Sequence, residues 1–149
     1  MRLVVDASVA IKWLLDEVGS AHAHHFLGRF RTGEDELVAP DLIVSEVGNA
    51  LRSAAVLRRR IPVDIVANAL ADFLRIGLPT RSASETALRA LELALRHDAT
   101  YYDAAYVALA LEEGVPLLAT DGPMTQKFKG VVEFVTLEAN FVGARGAAD

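Results

Sequence analysis

An α/β fold, with a central parallel sheet flanked by helices, is the class this sequence predicts, and three observations carry it. Short apolar runs recur, three of them stopping at or just before an acid or a proline. Helical stretches lie between those runs, so the strands pair in parallel. Hydrophobic residues make up 52% of the 149 positions, enough for a real core. A domain of this length buries roughly 68–70% of its unfolded surface without staples. Cysteine is absent, which excludes disulfides, thiolate metal sites and a cysteine nucleophile. No apolar run reaches the ~18 residues of a membrane span. An acid at position six speaks against a signal peptide, and the expected location is the cytoplasm. With 15 Lys+Arg against 20 Asp+Glu, the net charge of −5 argues against indiscriminate nucleic-acid binding. It leaves room for a local basic groove.

The elements follow in order. Leu3-Val4-Val5 is a buried strand stopped by Asp6, and a helix follows from Ser8 to Leu15. Residues 20–32 form a second helix. Glu36–Ala39 is a strand closed by Pro40, and Asp41 is placed to cap a long helix reaching Arg59. Pro62 opens a helix that ends near Gly77, and Leu78–Arg81 is a short strand. Ser84 to Arg96 is helical. Ala104–Leu111 is almost wholly apolar and reads as a helix buried on most sides, ended by Gly114. Pro116–Ala119 is a strand running up to Asp121, Pro123–Phe128 a short helix, and Val131–Val135 the last strand. Residues 1–142 form one domain, with 143–149 as a loose tail.

Four acids stand where apolar residues would be expected. Asp6 and Asp121 follow strands, and in a parallel sheet the strand C-termini share the edge where ligands bind. Glu46 shares a helix face with Leu42, Ile43 and Ala50, and Asp103 opens the most apolar helix. Each has a structural alternative. Asp6, Asp103 and Asp121 can cap helices, and Glu46 can pair with Arg52. Together they suggest a carboxylate cluster, which cannot stay ionised in a dry cleft without a cation. Mg2+ or Mn2+ suits oxygen ligands; Zn2+ suits them less, because no His or Cys accompanies the acids. Such a site activates water and stabilises in-line displacement at phosphorus.

Four segments carry a family resemblance: Val4-Val5-Asp6-Ala7-Ser8, the run from Pro40 to Leu51, the run from Tyr102 to Ala110, and Leu118-Ala119-Thr120-Asp121. In this order and at this length they resemble a PIN domain, and more narrowly the VapC-type toxins of bacterial toxin–antitoxin pairs. The resemblance implies a three-layer sandwich and a metal-dependent ribonuclease that leaves a 3′-hydroxyl and a 5′-phosphate. It places the metal-holding, catalytic acids on Asp6, Glu46 and Asp103, with Asp121 as a fourth, and supporting polar groups on Ser8 and Asn49. It further implies an RNA substrate, an antitoxin partner and a homodimer. One departure concerns the hydroxyl usually found two residues before the fourth acid. Ala119 stands there, and Thr120 lies next to Asp121 instead. Independently of the resemblance, Asn49 lies three residues after Glu46 and so shares its helix face.

Other features are read more plainly. His22, His24 and His25 are not spaced to converge on a metal and are expected on a solvated face. His97 suits a helix C-terminus. Arg52, Arg58, Arg59 and Arg60 form a basic helix end, explained equally by the helix dipole and by RNA contact; Arg58, Arg52 and Lys127 are candidate RNA contacts. Trp13, Leu14, Phe26 and Phe30 are expected in the core. Two rival functions remain. One is a non-cleaving RNA- or protein-binding module of the same fold. The other is an aspartyl-nucleophile phosphatase at Asp6, against which Ser8 stands where a second acid belongs.

Overall fold

The computed structural model describes residues 1–143. Five strands alternate with helices: β1 (Arg2–Val5), β2 (Glu36–Pro40), β3 (Thr80–Arg81), β4 (Leu117–Ala119) and β5 (Phe134–Thr136). All pair in parallel, in the order β3-β2-β1-β4-β5. The helices are α1 (Ala7–Ile11), α2 (Ser20–Arg31), α3 (Ile43–Arg52), α4 (Val66–Arg75), α5 (Ala87–His97), α6 (Tyr101–Glu113) and α7 (Pro123–Lys127). The predicted α/β class, a parallel sheet flanked by helices, is the fold observed. The expected tail lies outside the described residues from position 144 onward.

The core sits around β1, whose Leu3, Val4 and Val5 are fully buried. Helix α6 packs on β1 and β2. Its unbroken buried run Ala104–Ala110 is rich in alanine, which lets its backbone approach the sheet closely. Each fully buried Val or Leu contributes about 1.5–3 kcal/mol, and truncating Leu3 to alanine would cost about 2–5 kcal/mol. Trp13 and Phe26 lie in this core, and Leu14 and Phe30 pack against it half-buried.

The element boundaries differ from the sequence reading in places that have physical causes. The first helix ends at Ile11, not Leu15: beyond it the backbone tightens into turns, the Lys12 amide donating to the Val9 carbonyl at 3.0 Å and the Trp13 amide to the Ala10 carbonyl at 3.1 Å. Asp41 does not cap α3. Its carboxylate accepts from the Ala83 amide at 3.0 Å and ties the end of β2 to the β3–α5 loop. The long helix expected to reach Arg59 is α-helical only to Arg52, then widens into a π-turn over Ser53–Leu57 in which Ala54 and Ala55 both face inward. The Gly130 turn (φ 80°) delays the last strand to Phe134.

His22 departs from the solvated face assigned to it. It is buried, its Nδ1 accepts from the Glu138 amide at 2.9 Å, and its ring stacks on Phe141 at 4.1 Å. His24 and His25 are exposed.

Candidate active site

The sheet order sets the site. From the central β1 the chain builds β2 and β3 on one side and β4 and β5 on the other. Such a reversal opens a crevice at the C-terminal ends of the two strands beside it, here β1 and β4. Asp6 follows β1 directly, and Asp121 lies two residues past β4. Backbone bonding holds the two strand ends together: the Asp6 amide donates to the Leu118 carbonyl at 2.9 Å, and the Thr120 amide donates to Ser8 Oγ at 3.3 Å. Glu46 lies in the first turn of α3, just past β2, and Asp103 in the first turn of α6.

Asp6 both caps α1 and joins the acids. Its Oδ2 accepts from the Ser8 amide at 3.1 Å. Burial pushes its carboxyl above the usual range against the Ser8 hydrogen bonds, and the Asp103 charge adds to the rise. Asp103 is not the cap of its own helix. Thr100 takes that role, its Oγ1 accepting from the Asp103 amide at 3.1 Å. Burial raises Asp103, opposed by Thr100 and by the nearby Lys127 ammonium.

Glu46 is strongly perturbed as well. Burial lifts its carboxyl to about 7, opposed by the Tyr106 phenol and reinforced by the charges of Asp6 and Asp103. It forms no ion pair with Arg52, which is exposed and makes none among the described residues. Glu46 Oε1 and the Tyr106 hydroxyl are both buried without a regular hydrogen-bond partner among the described residues. Tyr106 was missed in the sequence. The signal was there: it lies three residues after Asp103, on the same face of the most apolar helix. Burial raises its phenol well above the usual range, with the charges of Asp6 and Glu46 adding to it.

Asp6, Glu46 and Asp103 are thus the acids whose charges act on one another. Asp121 stands apart. It is exposed at the rim, and its Oδ1 accepts from Thr125 Oγ1 at 2.9 Å. Asn49 and Glu46 line a cavity of about 400 Å³ together with Leu42, Ser45 and Tyr102. Ser8, Thr120 and Arg58 line a second cavity of about 380 Å³. Lys127 Nζ donates to the Asp98 carbonyl. As the side chains are oriented, no three His, Asp or Glu groups among the described residues close on a single ion position. The donor set still fits a hard divalent cation. It is all oxygen, it is half-buried or buried, and one oxygen, Glu46 Oε1, lacks a partner.

Known proteins resemble this chain over most of its length. The chain is 36% identical over 134 residues to Ribonuclease VapC3 of Pyrobaculum aerophilum, covering 89% of this chain and 98% of that protein. It is 38% identical over 118 residues to Ribonuclease VapC1 of Mycobacterium tuberculosis, covering 79% and 84%. The fold matches the crystal structure of PAE2754 from Pyrobaculum aerophilum with a TM-score of 0.62 at 24% identity, over 89% of this chain and 92% of that one. Residues 3–129 match the model of the PIN domain, so the chain belongs to the PIN domain family and, within it, resembles the VapC ribonucleases.

Proposed function

We propose that this protein is a divalent-metal-dependent endoribonuclease and the toxin half of a toxin–antitoxin pair. The observation that carries the reading is the placement of Asp6, Glu46 and Asp103. They are gathered at the switch point of the sheet, their carboxyl groups are raised by burial, and no ion pair joins any of them among the described residues. The names of the VapC relatives support RNA as the substrate.

Asp6, Glu46 and Asp103 would hold Mg2+ or Mn2+ after small side-chain rotations, with Asp121 as a fourth acid from the rim. The ion would neutralise charge that develops at phosphorus and make water a better nucleophile. The chain supplies the rest. Ser8 joins the ends of β1 and β4 and so fixes where Asp6 stands. Thr100 takes over helix capping and leaves Asp103 for the site. Asn49, on the lip beside Glu46, is placed to orient the strand. Arg52 and Lys127 remain candidate phosphate contacts at the margin. The products would carry a 3′-hydroxyl and a 5′-phosphate. No 2′-hydroxyl nucleophile is needed, so preference for RNA would come from binding.

An antitoxin would silence the site most directly by inserting an arginine among the carboxylates, where bidentate bonds replace the cation. A homodimer is part of the same reading. Incubation of single-stranded RNA with purified protein in Mg2+, Mn2+ or EDTA tests the chemistry. Cleavage that needs the metal is the expected result, and undiminished cleavage in EDTA overturns it. RNA binding without cleavage in any metal would favour the non-cleaving module. Expression in a bacterial host tests the pairing: wild type should arrest growth, Asp103→Ala should not, and a small neighbouring gene should rescue.

A further inference from the structure

The second cavity is lined by Ser8 and Thr120, which bond across the ends of β1 and β4, and the Ser8 amide in turn donates to the Asp6 carboxylate. Its other walls carry an unusual charge arrangement. Lys12, Arg58 and Arg60 line it, in a protein whose net charge is −5. Only Glu17 opposes them there. That carboxylate is divided between two cations: Arg60 Nη1 donates to Oε1 at 2.8 Å, and Lys12 Nζ donates to Oε2 at 3.1 Å. Lys12 is well covered, its side chain 12% exposed, so its charge is not dissipated in bulk water. Burial works to raise the Glu17 carboxyl, but the two cations more than offset it and hold it below the usual range. The two cations therefore favour an anion at this position.

The backbone builds this arrangement. The π-turn after α3 closes with the Arg58 amide donating to the Ser53 carbonyl at 3.0 Å and the Arg60 amide to the Ala54 carbonyl at 2.8 Å. Arg59 takes a left-handed conformation, φ 49°, which reverses the chain and sends Arg60 back across the cavity to Glu17. Widened turns and left-handed non-glycine residues persist where a structure over-determines them, and both gather at functional sites. On the other wall, Ser20 Oγ accepts from the Glu17 amide at 2.9 Å and donates to the Leu15 carbonyl at 3.1 Å, which fixes the loop that presents Glu17.

We propose that this cavity is a phosphate subsite for the RNA strand: Lys12, Arg58 and Arg60 hold a backbone phosphate adjacent to the one at the acids, and Glu17 fills that place until the strand arrives. The proposal rests on the nuclease reading of the acid site. A phosphodiester carries the same charge as the Glu17 carboxylate and accepts the same forked arginine bonds. Arg58, which makes no ion pair among the described residues, is the cation most ready to engage it. The simpler alternative makes Glu17 only a staple between the α1–α2 loop and the turn after α3.

The test is equilibrium binding of a fluorescent single-stranded RNA, followed by anisotropy in EDTA over a range of salt. Arg58→Ala should weaken binding about tenfold and reduce the salt slope by about one. Arg60→Lys, which keeps the charge, should hold the salt slope and lose part of the affinity. Glu17→Gln should tighten binding by about twofold or more, because the competing charge is gone. Arg75→Ala, whose partner is the exposed Asp72, should bind as wild type. Arg58→Ala with wild-type affinity and slope overturns the subsite. So does Glu17→Gln that melts earlier yet binds RNA unchanged, which is the staple's signature. Metal-dependent cleavage by wild type, measured alongside, separates the two readings. Cleavage with unaltered Arg58→Ala binding removes the subsite alone, whereas altered binding with no cleavage in any metal removes the nuclease and leaves an RNA-binding cavity.

Discussion

The two edges of the sheet each bury acids and treat them in opposite ways. At the N-terminal edge, Asp35 precedes β2 and is almost fully buried. It accepts from Arg29 Nε at 2.7 Å and Arg29 Nη2 at 3.0 Å, and from the Met1 amino group at 2.8 Å. These bonds, Arg29 first, hold its carboxyl below the usual range against the effect of burial. At the C-terminal edge, Asp6, Glu46 and Asp103 are buried or half-buried, form no ion pair among the described residues, and are all raised. Burial of an acid is therefore no mark of function by itself. Asp35 is part of the scaffold because its charge is answered within the chain. The other three are answered by no ion pair among the described residues.

Breaking each edge should produce different losses. The largest effect is expected from Asp6→Asn, which should reduce cleavage by more than roughly 100-fold, since even outer partners of metal ligands account for 10–100-fold. Its melting temperature in EDTA should equal or exceed that of wild type, because one repelling charge is removed. Loss of fold by circular dichroism would make Asp6 a scaffold acid like Asp35. Next, Arg29→Ala should leave the cleavage rate per folded molecule unchanged and cost about 2–3 kcal/mol in urea unfolding, as it strips a buried carboxylate of its main partner.

A third contrast lies in pH. Below the ordinary glutamate range, folded and unfolded chains both carry a protonated Glu46. Between that range and about 7 the unfolded chain ionises first, so metal-free stability should fall as pH rises, with the penalty complete above about 7. Asp35 has the opposite sign: its stabilisation is present above the ordinary aspartate range and is lost as pH falls through its depressed value. Thermal melts in EDTA from about pH 5 to 8 should show the Glu46 decline, flattened in Glu46→Gln and reversed by millimolar Mn2+. A flat wild-type profile would detach Glu46 from the acid group. The smallest effect is expected from Asp121→Asn, about tenfold or less in cleavage. A loss as deep as that of Asp6→Asn would bring the rim acid into the centre.

The C-terminal side of this contrast was legible in the chain, because local patterns fix it; the Asp35–Arg29 side was not. Leu3-Val4-Val5 followed by Asp6, and Leu117–Ala119 leading to Asp121, show strands that end at acids whatever the tertiary structure. The apolar run from Ala104 could only be a buried helix. Partnerships over long sequence separations were not legible. Nothing near Glu17 announces Arg60, 43 residues away, and nothing near His22 announces Glu138, 116 residues away. Asp41 looked like a cap because a helix follows it, yet the Ala83 amide claimed its carboxylate. The π-turn at Ser53–Leu57 was hidden because helical periodicity barely changes when one turn gains a residue.

The double duty of Asp6 has a genetic consequence. Asparagine accepts the same bond from the Ser8 amide and caps a helix about as well as aspartate. If Asp6 holds the metal as proposed, a single codon change at this position would therefore disarm the protein without unfolding it. The resulting chain would keep its entire outer surface and compete with active copies for any inhibitor that recognises it. In a population carrying both alleles, the disarmed version would be no bystander. By soaking up the inhibitor it would release its active siblings, so loss of function at this residue would behave as a dominant trait.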